Sequence, residues 1–467
     1  MSLKTAEAIA ELVAKRNGRA LIVGGWVRDR LLGQPNKDVD LEVFGIPAEE
    51  LRGLLATLGP VNTVGESFTV YKVEEVDVSL PRRESKIGRG HRAFEVTGDP
   101  SMTPMEAARR RDFTINAIYF DPLTQEYIDP FSGQRDLLEH RILKAVDEIT
   151  FAEDSLRVLR GVQFAARFNL EMEPDTRALC SRIALDDLPA ERVWGEFEKL
   201  LLLAERPSIG FALALQLGVI DQLFPEMKAL VDCPQEPEWH PEGDVWIHTM
   251  MVIDQARQRI HDLERPQQIT VMLGAVTHDL GKPPTTAFVD GRIRSIDHEQ
   301  AGVAPATALL DRLNIHTIGG YDVRHHILGI VAHHLKPLMF VKSVTPVGEG
   351  AYRRLAQKVD LELLARVALS DCLGRTGNFD CSGIETFLAR ARSLGVEHKP
   401  PEPIVKGRHL LALGVKPGPR MGDILRAIYE QQLDGSVTTV EQGLKVFEDM
   451  NKEDGRRKKE KGETAER

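Results

Sequence analysis

Residues 21–44 read LIVGGWVRDRLLGQPNKDVDLEVF. The apolar run Leu21-Ile22-Val23 has the form of a strand, and it ends at Gly24-Gly25, where the missing Cβ lets the backbone turn tightly and approach a ligand. Trp26 to Leu32 read as a helix carrying Arg28 and Asp29; Gly33 stops it and Pro35-Asn36 turn the chain. Asp38 to Phe44 then alternate acidic and apolar residues. That is the period of a strand, so Asp38, Asp40 and Glu42 share one face and Val39, Leu41 and Val43 the other. Carboxylates this close repel unless a cation sits between them. Hard oxygen ligands suit Mg²⁺, which retains waters and binds substrate phosphates, and the glycine pair can turn backbone N–H groups toward a triphosphate. The pieces fit metal-dependent nucleotidyl transfer, although the Asp-x-Asp pair by itself fits an acidic, solvent-facing strand equally well.

Outward from this stretch, a helix is expected over 3–17, with Ala8, Ile9, Leu12 and Val13 on one side, and another over 47–58 between Pro47 and Gly59-Pro60. Val61 to Val64, Phe68 to Val73 and Val76 to Leu80 read as strands, giving a small mixed α/β domain. Asp77 is a lone acid in the last of them, equally readable as an ordinary solvent-facing residue. Residues 81–104 are rich in Gly, Pro and basic side chains and read as a flexible loop, whose Arg82, Arg83, Lys86, Arg89 and Arg92 could reach phosphates. A helix from Pro104 follows and runs into RRDFTINAI at 110–118, where the planar fork of Arg111 matches phosphate oxygens. From Ile149 the chain turns helical. In FAEDSLRVLR at 151–160, Glu153 and Arg157 stand four apart, which by spacing alone is a salt-bridged helix face.

GGWVRDRLLG followed by KDVDLEVFG, with RRDFTINAI and EDSLRVLR behind them, resembles the class II tRNA nucleotidyltransferases and bacterial poly(A) polymerases, which belong to the DNA polymerase beta-like nucleotidyltransferases. The resemblance implies an α+β fold: a mixed-sheet head followed by a helical neck, body and tail. It makes Asp38, Asp40 and Asp77 catalytic, with Mg²⁺ on Asp38 and Asp40 and Asp77 activating the attacking hydroxyl. It assigns nucleotide contacts to Gly24, Gly25, Arg28, Arg111, Asp112, Asn116 and Arg160. Glu153, Asp154 and Arg157 would read the incoming base, Glu153 holding Arg157, and Arg192 and Glu196 would support them. The expected reaction is addition of CCA to a tRNA 3′ end from CTP and ATP without a template. Poly(A) synthesis or partial addition of CC or A are the alternatives within the family.

A second constellation lies further on: His248; His278-Asp279 in HDLGK at 278–282; His298; His333-His334; and Asp371. Imidazoles with carboxylates suit Mn, Fe, Ni or Zn and can activate water. The pattern resembles the HD phosphohydrolase superfamily, which gives His248, His278, Asp279 and Asp371 as ligands of a transition metal such as Ni²⁺ or Mn²⁺, with His298 and His333 as extra ligands. A class II head followed by an HD domain resembles the bacterial multifunctional CCA-adding enzymes, whose HD domain is associated with 2′,3′-cyclic phosphodiesterase, 2′-nucleotidase and phosphatase activity. A chain acting chiefly as an HD phosphohydrolase with a nucleotide-binding head is a further alternative.

At 467 residues the chain is too long for a single core. The expected division is 1–145 head, 146–232 neck, 233–380 HD domain, 381–448 helical RNA-binding region and 449–467 disordered charged tail. The net charge of −10 excludes no partner, because only the local charge matters at an RNA contact. Cys180, Cys233, Cys372 and Cys381 are scattered, without a CxxC or a small disulfide framework, and read as a reducing cytosol. The N-terminus carries no signal-peptide pattern, and no apolar run is long enough to span a membrane. The expected setting is cytoplasmic. Oligomeric state is not legible.

Overall fold

The computed structural model describes residues 2–64, 70–86 and 94–463. They divide into two compact units, Met1–Lys228 and Ala229–Arg467.

The first unit is built on nine head strands: β1 (Arg19–Val23), β2 (Val39–Phe44), β3 (Asn62–Val64), β4 (Val70–Val73), β5 (Val76–Ser79), β6 (Arg82–Lys86), β7 (Phe94–Gly98), β8 (Tyr119–Phe120) and β9 (Tyr127–Ile128). Seven form one mixed sheet in the order β3-β4-β5-β2-β1-β8-β9. β2 runs antiparallel to β1 and parallel to β5, and the register sets Asp40 opposite Asp77. The alternation in β2 does what its sequence predicts. Val39, Leu41 and Val43 pack with Ala20 and Ile22 against Ala6, Ile9, Ala10 and Val13 of the first helix, Ser2–Ala14. Each fully buried Val, Leu or Ile among them contributes about 1.5–3 kcal/mol. Asp40 and Glu42 lie on the opposite face.

The expectation of a loop over 81–104 is corrected. β6 and β7 pair as an antiparallel hairpin, closed at its base by Asp99 N–H to Pro81 O (2.7 Å) and Arg83 to Asp99 (2.6 Å). Arg89 and Arg92 lie outside the described residues. A second correction concerns 151–160: the helix Glu148–Phe151 ends, the chain turns through Glu153 and Asp154, and a new helix runs Leu156–Phe168. Asp154 Oδ1 accepts the Leu156 N–H, so the acids sit at a helix start and not along a helix face.

The second unit is helical, apart from one two-stranded hairpin, Thr286–Val289 with Arg292–Ser295. Its centre is the helix Arg265–Thr277, buried continuously from Ile269 to Thr277 and packed against Val245–Arg257, Val323–His333 and Leu361–Leu373. Val405, Leu410, Met421, Ile424, Ile428, Val437 and Phe447 form a small separate core near the C-terminus. One expectation fails here: Cys372 and Cys381 are disulfide-bonded across nine residues. The helix Val440–Glu463 runs into the stretch read as a charged tail from 449, and Phe447 sets its first turns in the small core; residues 464–467 lie outside the described residues.

Candidate active sites

In the first unit a cavity of about 410 Å³ opens above the β2–β5 edge. Asp40 and Asp77 from the paired strands line it together with Arg111, Asp154, Arg157 and Arg192. Asp38 is exposed at the entrance to β2, two residues before Asp40, with its N–H held by Asn36 Oδ1 (2.9 Å). The Asp40 carboxyl is pushed up by the protein packed around it and by Asp77, Asp38 and Glu42, against the pull of Arg111. That crowding of negative charge fits a hard divalent cation. Gly24 has φ +79°, a conformation open to glycine, and a Cβ there would lie 3.5 Å from Arg111 Nη1 and 3.7 Å from Asp40 Oδ2. The glycine turn, the arginine and the carboxylate therefore meet at one point.

Arg111 is steadied from behind by Glu42 (3.6 Å), which also accepts a hydrogen bond from Tyr119 Oη (2.8 Å). Arg192 grips Asp154 at 3.3 Å. Arg157 is almost buried, its guanidinium donating to Thr150 O (2.6 Å) and Arg110 O (2.7 Å). Glu153 pairs with Arg110 at 3.1 Å.

Arg28 and Asn116 do not line the cavity. Arg28 is buried, bonded through two nitrogens to Asp29 (2.9 and 2.7 Å) and through Nη1 to Asn116 (2.7 Å), and it lies over the Phe164 and Phe168 rings. Asn116 passes the network to Asp112 (3.0 Å), which accepts from Arg160 Nε (2.6 Å). Burial opposes ionisation of Asp112, but Arg160 and the hydrogen bonds around it hold its carboxyl below the usual range. This chain of bonds ties the Gly-Gly helix to the helix Leu156–Phe168. Asp112 and Arg160 reach the cavity wall; Arg28 and Asn116 act behind it.

In the second unit four imidazoles converge. His248 Nε2 lies 3.0 Å from Asp371 Oδ1 and 3.8 Å from Asp279 Oδ2; His278 Nε2 is 3.2 Å from Asp279 Oδ2. His298 Nε2 is 3.4 Å from Asp279 Oδ1 and 3.3 Å from His334 Nε2. Every Nδ1 faces outward: His248 to Glu242 (2.9 Å), His278 to Ala275 O (2.8 Å), His298 to Ser295 O (2.8 Å) and His334 to Val331 O (3.0 Å). Such bonds fix the tautomer and leave each Nε2 lone pair aimed inward, as metal ligation requires. His278 Nε2 is buried without a hydrogen bond, an orphan that a metal would satisfy. Burial pushes His334 down to about 3, so it is neutral. Asp279 and Asp371, despite burial, are held ionised by His278 and Lys282 around the first and by His248 and Arg375 around the second. Two buried sets, His248/His278/Asp371 and Asp279/His298/His334, can each hold a metal ion. Gly281 makes this possible: a Cβ there would lie 1.9 Å from His298 O.

Residues 20–143 match the poly(A) polymerase head domain, and 169–230 match the probable RNA- and SrmB-binding site of polymerase A. A Multifunctional CCA protein of Xanthomonas campestris pv. campestris is 35% identical over 423 residues, covering 86% of this chain and 95% of that protein. The chain belongs to the family of bacterial multifunctional CCA proteins. It is a nucleotidyltransferase of the CCA-adding and poly(A) polymerase superfamily. Another family member, from Stenotrophomonas maltophilia, is 42% identical over 306 residues, covering 63% of this chain and 71% of its own. Among solved structures, the Bacillus stearothermophilus CCA-adding enzyme in complex with CTP aligns with TM-score 0.66 at 21% identity over 97% of this chain and 99% of that one. That likeness concerns the fold.

One residue expected in this cluster is corrected. His334, not His333, stands beside His298 and Asp279. Reading missed it because the two are neighbours. The apolar stripe Ile327, Ile330, Val331 continues at 334 and points that residue inward. Glu42 and Glu242, each holding a functional side chain from behind, carried no local signal beyond being acidic. Among the described residues no helix is long and apolar enough to cross a membrane.

Proposed function

We propose that the chain adds C, C and A to the 3′ end of tRNA, using CTP and ATP. The observation that carries this reading is the single cavity joining Asp40 and Asp77 on paired strands to Asp154, Arg157 and Arg192. Mg²⁺ held by Asp38 and Asp40 would neutralise the triphosphate and favour attack at its α-phosphorus. Gly24 and Gly25 let the phosphates approach the backbone, and Arg111, braced by Glu42, holds the pyrophosphate that leaves. Asp77 draws the proton from the RNA 3′ hydroxyl. Asp154, set by Arg192, and Arg157, set by two backbone carbonyls, present an acceptor and donors to the Watson–Crick edge of the base, with Glu153 and Arg160 supporting them. The protein thereby takes the place of a template.

The second unit we read as a metal-dependent phosphohydrolase, with His248, His278, Asp279, His298, His334 and Asp371 holding a transition metal such as Ni²⁺ or Mn²⁺. The four inward Nε2 atoms favour this reading. We read the chain as a head over 1–145, a neck over 146–232, an HD domain over 233–380 and an RNA-binding region from 381, acting in the cytoplasm.

The test supplies tRNA ending at the discriminator base with CTP and ATP, separately and together. Stable CCA ends, lost in Asp40→Ala with the fold intact, are expected. Long A tails, or arrest after CC with both nucleotides present, would overturn the specificity, and normal incorporation by Asp40→Ala would overturn the site.

A further inference from the structure

The cluster of imidazoles and carboxylates in the second unit forms part of a cavity of about 460 Å³, within the roughly 300–1,000 Å³ of small-molecule sites. The metal ligands account for its Asp279, His298, His334 and Asp371 lining. They do not account for the loop 234–243, or for the hairpin Thr286–Val289/Arg292–Ser295.

That loop has no regular secondary structure, yet it is stitched down. Gln235 Oε1 accepts from Lys282 Nζ (2.7 Å) and its Nε2 donates to Gly243 O (3.3 Å). Glu236 Oε2 accepts the Ile293 N–H (3.0 Å), and Glu238 pairs with Arg292 (2.9 Å). The Trp239 and His240 N–H groups both donate to Glu236 O (3.0 and 2.9 Å). On this fixed frame Trp239 lines the cavity with 51% of its surface exposed. A large aromatic left half in water on a firmly held loop forgoes burial that it would gain in a core. Across the hairpin Arg294 also lines the cavity, and it has no ion-pair partner among the described residues. An unpartnered aromatic face and an unpartnered guanidinium on one opening match the two parts of a nucleotide. The base stacks on the ring, and the phosphate takes the planar fork.

We propose that Trp239 and Arg294 are specificity-determining residues of this cavity: Trp239 stacks the base of a nucleotide and Arg294 holds its phosphate, directing the phosphoester at the histidine and aspartate cluster. The proposal rests on reading that cluster as a phosphohydrolase site, and its test separates the two.

Purified full-length protein, Trp239→Ala, Trp239→Phe and Arg294→Gln are assayed with Mn²⁺ or Ni²⁺ on adenosine 2′-monophosphate and on glycerol 2-phosphate, which has no base. Template-free incorporation by the first unit serves as the check on folding. In Trp239→Ala the ratio of kcat/KM for the nucleotide to that for the base-free ester falls about tenfold, through KM, and Trp239→Phe restores most of it. Arg294→Gln raises KM for both esters and leaves their ratio near the wild-type value. An unchanged ratio in Trp239→Ala overturns the stacking role, and an unchanged KM in Arg294→Gln overturns the phosphate role. If the wild-type protein hydrolyses neither ester, the phosphohydrolase reading fails. The rim is then judged by adenosine 2′-monophosphate quenching of tryptophan fluorescence: quenching in wild type that is lost in Trp239→Phe upholds it, and its absence overturns it.

Discussion

Arg28 decides whether the charged pair after the glycine turn is a ligand for the nucleotide or a brace for the fold. The residue is 4% exposed, and its guanidinium bonds twice to Asp29 and once to Asn116 and stacks over Phe168 at 4.3 Å. Replacing it with Met removes the charge while keeping most of the side-chain volume. Asp29, also 4% exposed, is then left buried with only the Asn36 Nδ2 bond of 2.7 Å. Breaking a buried pair from one side costs about 3–5 kcal/mol. The surviving amide bond places this site at the lower end, about 3 kcal/mol, or roughly a hundredfold in the opening equilibrium. Hydrogen exchange of peptides spanning 21–32, measured against urea, reads this loss. The double variant Arg28→Met/Asp29→Leu should recover at least half of it, because no unpaired carboxylate remains. The KM for CTP, measured where the single variant is folded, should change by no more than about threefold. If protection is unchanged and the KM for CTP rises a hundredfold, Arg28 binds the nucleotide and the bracing argument is wrong.

Three further outcomes follow from the geometry. Burial, with the neighbouring His325, pushes His326 down to about 4, and its Nδ1 accepts the Asp360 N–H at 3.1 Å, so the folded state holds it neutral. The second unit should keep this contribution above about pH 6.5 and lose it as pH falls toward 4, since the unfolded chain binds the proton first; thermal unfolding of His326→Asn should show a flatter profile across that window. Cys180 is buried, its thiol pushed up to about 12, and Cys233 is buried too, so iodoacetamide should add no label to the native protein and two labels, at Cys372 and Cys381, after mild reduction. Mass spectrometry showing label at Cys180 in the native state would contradict this packing. Glu242 orients His248 through Nδ1 at 2.9 Å, so Glu242→Gln should weaken Mn²⁺ binding by about 10–100-fold in a calorimetric titration, and unchanged affinity would remove Glu242 from the site.

What the sequence made legible was what a local period encodes. The alternation of Asp38 to Phe44 determined which face of β2 is buried, and Gly24 marked the turn that passes Arg111 and Asp40. The residues proposed to read the base were different. Glu153 and Arg157 have the spacing of any surface ion pair, and only resemblance marked them; their position depends on a helix break that Asp154 itself caps, which no periodicity reveals. The pairing of β6 with β7 was hidden because the glycines and basic residues between them in sequence dominate the composition of the whole stretch, while the strands are short. His333 and His334 are the opposite case: the stripe that runs from Ile327 through Ile330 and Val331 has a helical phase that turns 334, not 333, inward.

The parts that stayed illegible share a physical character. Glu42 steadies Arg111 from the same strand as Asp40, but Glu242 reaches His248 from a Pro- and Glu-rich loop that reads as a domain boundary, and Thr376 N–H completes that carboxylate from 134 residues away. A metal ligand must project from a rigid element, and rigid elements announce themselves by periodicity. The residue that fixes its tautomer needs only to arrive within hydrogen-bond distance, and a loop with no period can deliver it. Ligands are therefore read from one sequence far more readily than the groups that orient them, and Glu242→Gln tests such an orienting group while leaving every ligand of the cluster in place.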